Sequence, residues 1–207
     1  MITLALVDDH ILFRKSMAAL LELMGSFKVV FQGSNGIELI AYLEQQAGPD
    51  LILLDVSMPI MNGPETCRWI NKNCKETKVI ALSMLRSETV IISMLTNGAC
   101  AYLLKDAEPD ELKNILIEVH EKGFAHNDMV PRPVLRKQST FPILLSDQEK
   151  LFIQWACTDK THKEIADILN LSPRTIDGYR DSVFKKLQVN SRVGIVLYAL
   201  RNGIVPL

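Results

Sequence analysis

The sequence predicts an α/β fold, a doubly wound five-stranded parallel sheet, joined to a second, all-α domain of helix-turn-helix type. Three observations carry this. Five short apolar runs alternate with five segments whose apolar residues recur at helical spacing, the pattern of a parallel sheet covered on both faces. One run, Leu51–Leu54, passes unbroken into Asp55, as a strand buried on both sides would. Beyond a proline-bearing stretch only helix-start signals remain.

Ile2–Val7 is an apolar strand ending in Asp8-Asp9. From Phe13, apolar residues recur at Met17, Leu20, Leu21 and Met24, one helix face, and Gly25 can end it. Phe27–Phe31 is the second strand. Asn35 with Glu38 has the form of a capping box opening a helix through Ile40 and Leu43, which Gly48-Pro49-Asp50 breaks. After the Leu51–Asp55 strand, Pro64 suits the first turn of a helix with Trp69 and Ile70 inward. Lys78–Leu82 is a strand ending at Ser83, and Ser87 can cap a helix carrying Val90, Ile91 and Leu95, stopped by Asn97-Gly98. Ala101–Leu104 ends at Lys105, and Pro109 starts a helix through Leu112, Ile115, Leu116 and Val119 to Gly123.

Phe124–Pro142 holds Pro131, Pro133 and Pro142 with little periodicity and reads as a linker. The expected divisions are therefore 1–122, a linker at 123–143, and 144–207. In the last part, Ser146 with Glu149 and Thr161 with Glu164 are capping-box patterns, and Ser172-Pro173 is another helix start. Four short helices follow, near 148–157, 162–169, 173–187 and 192–202.

Composition narrows the class. A chain of 207 residues, 48% hydrophobic, has material for two cores and little room for long disorder. No apolar run approaches the roughly 18 residues of a membrane helix. The N-terminus lacks the basic start and cleavage site of a signal peptide, so a cytoplasmic protein without membrane association is expected. Cys67, Cys74, Cys100 and Cys157 show no CxxC spacing and read as structural thiols. His10, His120, His126 and His162 read as surface or loop residues rather than ligands. Charge is uneven: residues 1–122 carry 11 Lys and Arg against 16 acids, net −5, and the remainder 12 against 8, net +4. A basic C-terminal part suits a polyanion.

Asp8, Asp9, Asp55, Ser83 and Lys105 all follow strands, and the carboxyl ends of parallel strands share one rim. An acid after a strand can be a simple turn residue. Three together repel one another, and a divalent cation such as Mg²⁺ relieves that cost. Asp55 could then attack a phosphoryl group to form an acyl phosphate, with Lys105 supplying charge and Ser83 a hydroxyl.

Asp8-Asp9-His10, Asp55 with Met58-Pro59-Ile60-Met61-Asn62-Gly63, Ser83, and Gly98-Ala99-Cys100-Ala101-Tyr102-Leu103-Leu104-Lys105-Asp106 resemble the receiver domain of bacterial two-component response regulators. The resemblance spans about the first 120 residues and implies a flavodoxin-like sheet in order 2-1-3-4-5. It implies phosphorylation of Asp55 by a sensor histidine kinase. It also implies Mg²⁺ held by Asp8, Asp9, Asp55 and the backbone carbonyl of Ser57, phosphoryl binding by Ser83 and Lys105, and a switch role for Tyr102. Receivers commonly carry Pro after the Lys; Asp106 stands there instead, as in members with a LuxR-type domain.

Thr161–Leu169, a tight turn at Asn170-Leu171, and the helix from Ser172 have helix-turn-helix spacing, in which the second helix enters the major groove. Ile165, Ala166, Leu169, Ile176, Val183 and Leu187 can form the core, which leaves Arg174, Arg180, Lys185 and Lys186 on outer faces for phosphates. A helical bundle with solvated charges is the alternative. From about Leu145 to Val205 the tail resembles the NarL/LuxR-type four-helix domain, with Lys186-Leu187 and Asn190-Ser191-Arg192 matching its later pattern. That likeness implies DNA contacts from Lys163, Arg174, Thr175, Tyr179, Arg180 and Lys185. Asp177, Gly178 and Asp181 occupy the groove-facing side where family members commonly carry basic or neutral residues. These acids weaken backbone affinity but can accept from cytosine amino groups. Either the target site is unusual and includes C·G pairs at those positions, or monomer affinity is low and dimerisation is needed.

The expectation is a response regulator, not an enzyme, whose phosphorylation promotes homodimers on double-stranded DNA. Two rivals remain: an interaction adaptor whose tail does not bind DNA, and a phosphatase using Asp55 as a transient nucleophile. Ser57, where a DxD pattern would place its second acid, speaks against the phosphatase.

Overall fold

A computed structural model describes residues 1–130 and 144–205. Pro131, Pro133 and Pro142 of the expected linker lie outside the described residues. Nine helices and five strands are described, and the residues fall into two compact units. One holds Met1–Arg86 and Asn97–Met129; the other holds Ser87–Thr96 and the described residues from Val130 onward.

The strands are β1 (Ile2–Val7), β2 (Phe27–Gly33), β3 (Leu51–Asp55), β4 (Lys78–Ser83) and β5 (Ala101–Leu104). They form one parallel sheet in the order β2-β1-β3-β4-β5. Helices α1 (Ile11–Leu23), α2 (Gly36–Leu43), α3 (Gly63–Asn73), α4 (Glu88–Thr96) and α5 (Pro109–Lys122) alternate with them. Successive strand side chains point to opposite faces. Leu4, Leu6, Leu51, Leu53, Ile80, Leu82, Ala101 and Leu103 therefore share one core with Leu21 of α1 and Leu112, Leu116 and Val119 of α5.

Register fixes the rim. Val7 pairs with Leu54, Asp55 with Leu82, and Ser83 with Leu104. Asp8 thus emerges level with Asp55, Ser83 one step beyond it, and Lys105 one step beyond Ser83. Gly63 lets the α3 entrance lie against this strand end. A Cβ there would meet the Asp55 backbone oxygen at 2.5 Å and Val56 Cα at 2.7 Å. Asn62 and Glu65 form a reciprocal capping box on α3, with Pro64 in its first turn.

Several local expectations shift. Asn35 accepts from Glu38 N, but the Glu38 carboxylate reaches back to Ser34 N and the Asn35 side chain rather than to Asn35 N. The box on α2 is therefore half-formed. Trp69 is only half-buried; Thr66, Cys67 and Ile70 make the inward face of α3. After α5 ends at left-handed Gly123, the chain returns along β5. Ala125 N donates to Cys100 O at 3.1 Å and Asn127 Nδ2 to Tyr102 O at 2.9 Å.

The tail contains α6 (Asp147–Ala156), α7 (His162–Ile168), α8 (Pro173–Leu187) and α9 (Arg192–Arg201). Reciprocal capping boxes open α6 at Ser146/Glu149 and α7 at Thr161/Glu164, and Ser172 caps α8. Asn170, left-handed at φ 53°, makes the turn between α7 and α8. Ile165, Ala166, Ile176, Val183 and Leu187 are buried as expected, together with Phe152, Ile153 and Val196; Leu169 is half-buried. The Arg192 side chain donates to Ala156 O and Thr158 O, which ties the start of α9 to the end of α6.

Candidate functional site

The rim brings together the residues that the strand ends deliver. Asp8, Asp55 and Ser83 are buried and Asp9 is half-buried. Lys105 Nζ lies 2.8 Å from Asp55 Oδ2 and 2.8 Å from Asp8 Oδ2. Ser57 N, two residues past Asp55, donates to Asp55 Oδ1 at 3.3 Å.

Burial drives the Asp55 carboxyl upward from its ordinary value; Lys105 opposes that shift and the Asp8 charge adds to it. Burial works to lower Lys105, but its bonds to Asp55 and Asp8 outweigh it, and the ammonium is held above its ordinary range. At Lys105 the two carboxylates therefore outweigh burial, whereas at Asp55 burial outweighs the ammonium.

Asp8, Asp9, His10 and Asp55 offer ligand atoms all within 4.8 Å of one another. Asp8 Oδ2 and Asp9 Oδ1 are buried, and their charged neighbours are the Lys105 ammonium at 2.8 Å and the His10 ring at 3.0 Å. Three carboxylates this close, with the Lys105 ammonium spanning two of them, make an oxygen-rich group that fits a hard divalent cation. The sequence did not place His10 here. Its exposed ring nevertheless puts Nδ1 3.2 Å from Asp8 Oδ1 and 3.0 Å from Asp9 Oδ1.

Ser83 and Tyr102 both bond to the backbone of Leu85, one on each of its two flanking peptides. Ser83 Oγ accepts from Leu85 N at 3.0 Å, and the Tyr102 hydroxyl donates to Leu85 O at 2.7 Å. Tyr102 is fully buried, and burial raises its phenol despite the nearby Ser83.

Sequence reasoning missed Phe13 and Arg14. Phe13 lies under Lys105, whose Nζ is 5.0 Å from the ring centroid, a cation–π arrangement. Arg14 Nη1 donates to Asp8 O. Both come from the first turn of α1, and their spacing from Asp8 carries no motif.

On α8 the outward residues are Arg174, Gly178, Asp181 and Lys185, with Thr175, Asp177, Tyr179 and Arg180 half-exposed beside them. Lys163 is exposed on α7. Arg180 is engaged: Nε and Nη2 donate to Asp181 Oδ1 at 3.0 and 2.9 Å, and Nη1 lies 3.2 Å from Asp177 Oδ1. His162 Nδ1 lies 3.5 Å from the same Asp177 oxygen. Lys186 is exposed on an outer face as expected, and from there it binds buried Glu149 at 2.7 Å and the Leu144 carbonyl at 3.1 Å. It is therefore committed to the fold.

Two family models match. Residues 4–117 fit the response regulator receiver domain, and residues 144–199 fit the bacterial regulatory proteins of the luxR family. Response regulator UvrY of Escherichia coli K12 is 30% identical over 211 residues, spanning 99% of this chain and 96% of UvrY. A crystal structure of a LuxR-family DNA-binding response regulator from Staphylococcus aureus aligns at TM-score 0.55 and 27% identity, covering 58% of this chain and 99% of that one. The structure of two RcsB dimers bound to two parallel DNAs aligns at TM-score 0.59 and 22% identity over 95% of this chain and 96% of RcsB.

Proposed function

The chain belongs to the two-component response regulators that join a receiver to a LuxR-type DNA-binding domain, and on that footing we propose that a sensor histidine kinase phosphorylates Asp55 and thereby controls binding to double-stranded DNA. The observation that carries the reading is the Lys105 ammonium held 2.8 Å from both Asp55 and Asp8 at the sheet rim. In the transfer, an Asp55 oxygen attacks the phosphorus of a phosphohistidine. The P–N bond breaks, and the imidazole leaves with its electron pair and takes up a proton. Lys105 is within reach of a phosphoryl oxygen on Asp55, and Ser83 can turn its hydroxyl from Leu85 toward another.

Asp8, Asp9 and Asp55 would hold Mg²⁺, with the Ser57 carbonyl as the further oxygen that the receiver likeness implies, and the bound ion would neutralise charge on the phosphoryl oxygens. Release of Leu85 N by Ser83 would free one side of the residue whose carbonyl Tyr102 holds, which couples the phosphoryl site to the segment before α4. Residues 1–122 act as the receiver, 123–143 as the linker, and 144–207 as the DNA-binding domain. The outer face of α8, with Lys163, meets DNA; RcsB binds DNA as dimers, and phosphorylated copies of this chain pair likewise. Among the described residues no helix is long and apolar enough to cross a membrane, and the cytoplasm is the proposed compartment.

The test is labelling by acetyl phosphate with Mg²⁺. The wild-type chain should take up one phosphoryl group and Asp55→Asn none. Full labelling of the variant would remove Asp55 from the role.

A further inference from the structure

The outward stripe of α8 has an order of charge that phosphate binding alone does not explain. Arg174 and Lys185 stand at its ends, and Asp177, Gly178 and Asp181 occupy its middle. From Arg174 to Lys185 the stripe spans 12 residues, and its ends lie about 16 Å apart at about 1.5 Å per residue. That length lets the terminal cations reach the backbones flanking a major groove while the centre faces base edges.

Acids at that centre are repelled by phosphates and gain only where the groove presents hydrogen-bond donors. Gly178 adds an independent observation. It lies inside a helix where glycine weakens the structure, its φ is not left-handed, and a Cβ would meet nothing within 4 Å. Neither the backbone nor packing within the protein calls for a glycine. Its bare surface lets the helix approach something outside the chain.

Arg180 holds both acids by Oδ1, with Asp181 bound through two nitrogens and Asp177 through one. The side chains of Asp177 and Asp181 stay 49% and 68% exposed. The hydrogen bonds and ion pairs of both acids run to Oδ1, which leaves Oδ2 of each to take a donor.

We propose that Asp177 and Asp181, flanking the notch at Gly178 and positioned by Arg180, select cytosine by accepting from its N4 amino group in the major groove. Adenine also presents an amino group, but its neighbouring N7 is an acceptor and would face the second carboxylate oxygen. Cytosine has only C5–H there. The inference rests on the DNA-binding reading above.

The experiment is selection from a random-core duplex library with the full-length chain, treated with acetyl phosphate and Mg²⁺, alongside Asp177→Ala and Asp181→Ala. The wild type should enrich C·G pairs at fixed positions, and each variant should lose one such preference. N4-methylcytosine at a selected position replaces the groove-facing amino hydrogen with a methyl group. It should weaken wild-type binding about tenfold while leaving the matching Ala variant unaffected. Duplex binding with the same selected motif in all three proteins would overturn this inference and leave the DNA-binding reading intact. No selectable duplex for any of them would overturn both.

Discussion

Lys105 and Asp55 are joined at 2.8 Å, and the same ammonium spans to Asp8, so one cation balances two buried carboxylates. Its removal should be felt most at Asp55, where Lys105 is the main influence opposing burial. In Lys105→Met the Asp55 carboxyl should titrate at higher pH than in the wild type. Carboxyl-carbon NMR without divalent cations would follow it, and an unchanged titration would contradict the pairing.

Gly63→Ala tests whether the α3 entrance supports the phosphoacceptor. The new methyl would stand 2.5 Å from the Asp55 backbone oxygen, and backbone cannot move aside as a flexible side chain can. Overpacking of this kind costs about 1–3 kcal/mol. A lowered denaturation midpoint, with slower labelling by acetyl phosphate in the protein that remains folded, is expected. Wild-type stability and labelling together would show that the strand end tolerates the shift.

Tyr102→Phe should cost about 1 kcal/mol, the usual contribution of one hydrogen bond, since the hydroxyl donates to Leu85 O. Hydrogen exchange offers a local readout: the Leu85 amide, bonded to Ser83 Oγ, should lose protection. Exchange at wild-type rates would show that the Tyr102 bond to Leu85 O does not support the Ser83 bond to Leu85 N.

Glu149 governs an acid-side dependence in the tail. Burial alone would raise its carboxyl, but Lys186, the Ser182 hydroxyl and Ser146 N outweigh burial and pull it down to about 2. A pKa depressed by folding gives stability that is present above the unfolded value of 4.5 and lost as pH falls toward about 2. Glu149→Gln should lower the stability of the tail by about 2 kcal/mol at pH 7, the scale of bonds to charged groups. It should also flatten the decline below pH 4.5. Urea unfolding followed through Trp155, which lies in α6 with Glu149, would measure both.

Much of the rim was legible because strand ends have a sequence signature. An apolar run that stops at a polar residue marks both the strand and its carboxyl end, and parallel pairing brings those ends together. Asp8, Asp55, Ser83 and Lys105 were readable for that reason. Phe13 and Arg14 were not, because the tilt of α1 over the sheet decides what its first turn touches. Leu85 contributes only its backbone N–H and C=O, which no residue type announces. Glu149 was visible as a cap, a contact three residues long. Its partner Lys186 lies 37 residues away on a face that helical spacing alone leaves outward.

The return of the chain along β5 bears on how the first unit can be made by itself. A bare edge strand is a template for another copy, and natural sheets blunt such edges. Here the covering atoms come from Ala125 and Asn127, past the last turn of α5. A fragment cut at Lys122 would uncover the carbonyls of Cys100 and Tyr102 and invite strand-to-strand aggregation. A fragment continued through Met129 would carry its own protection.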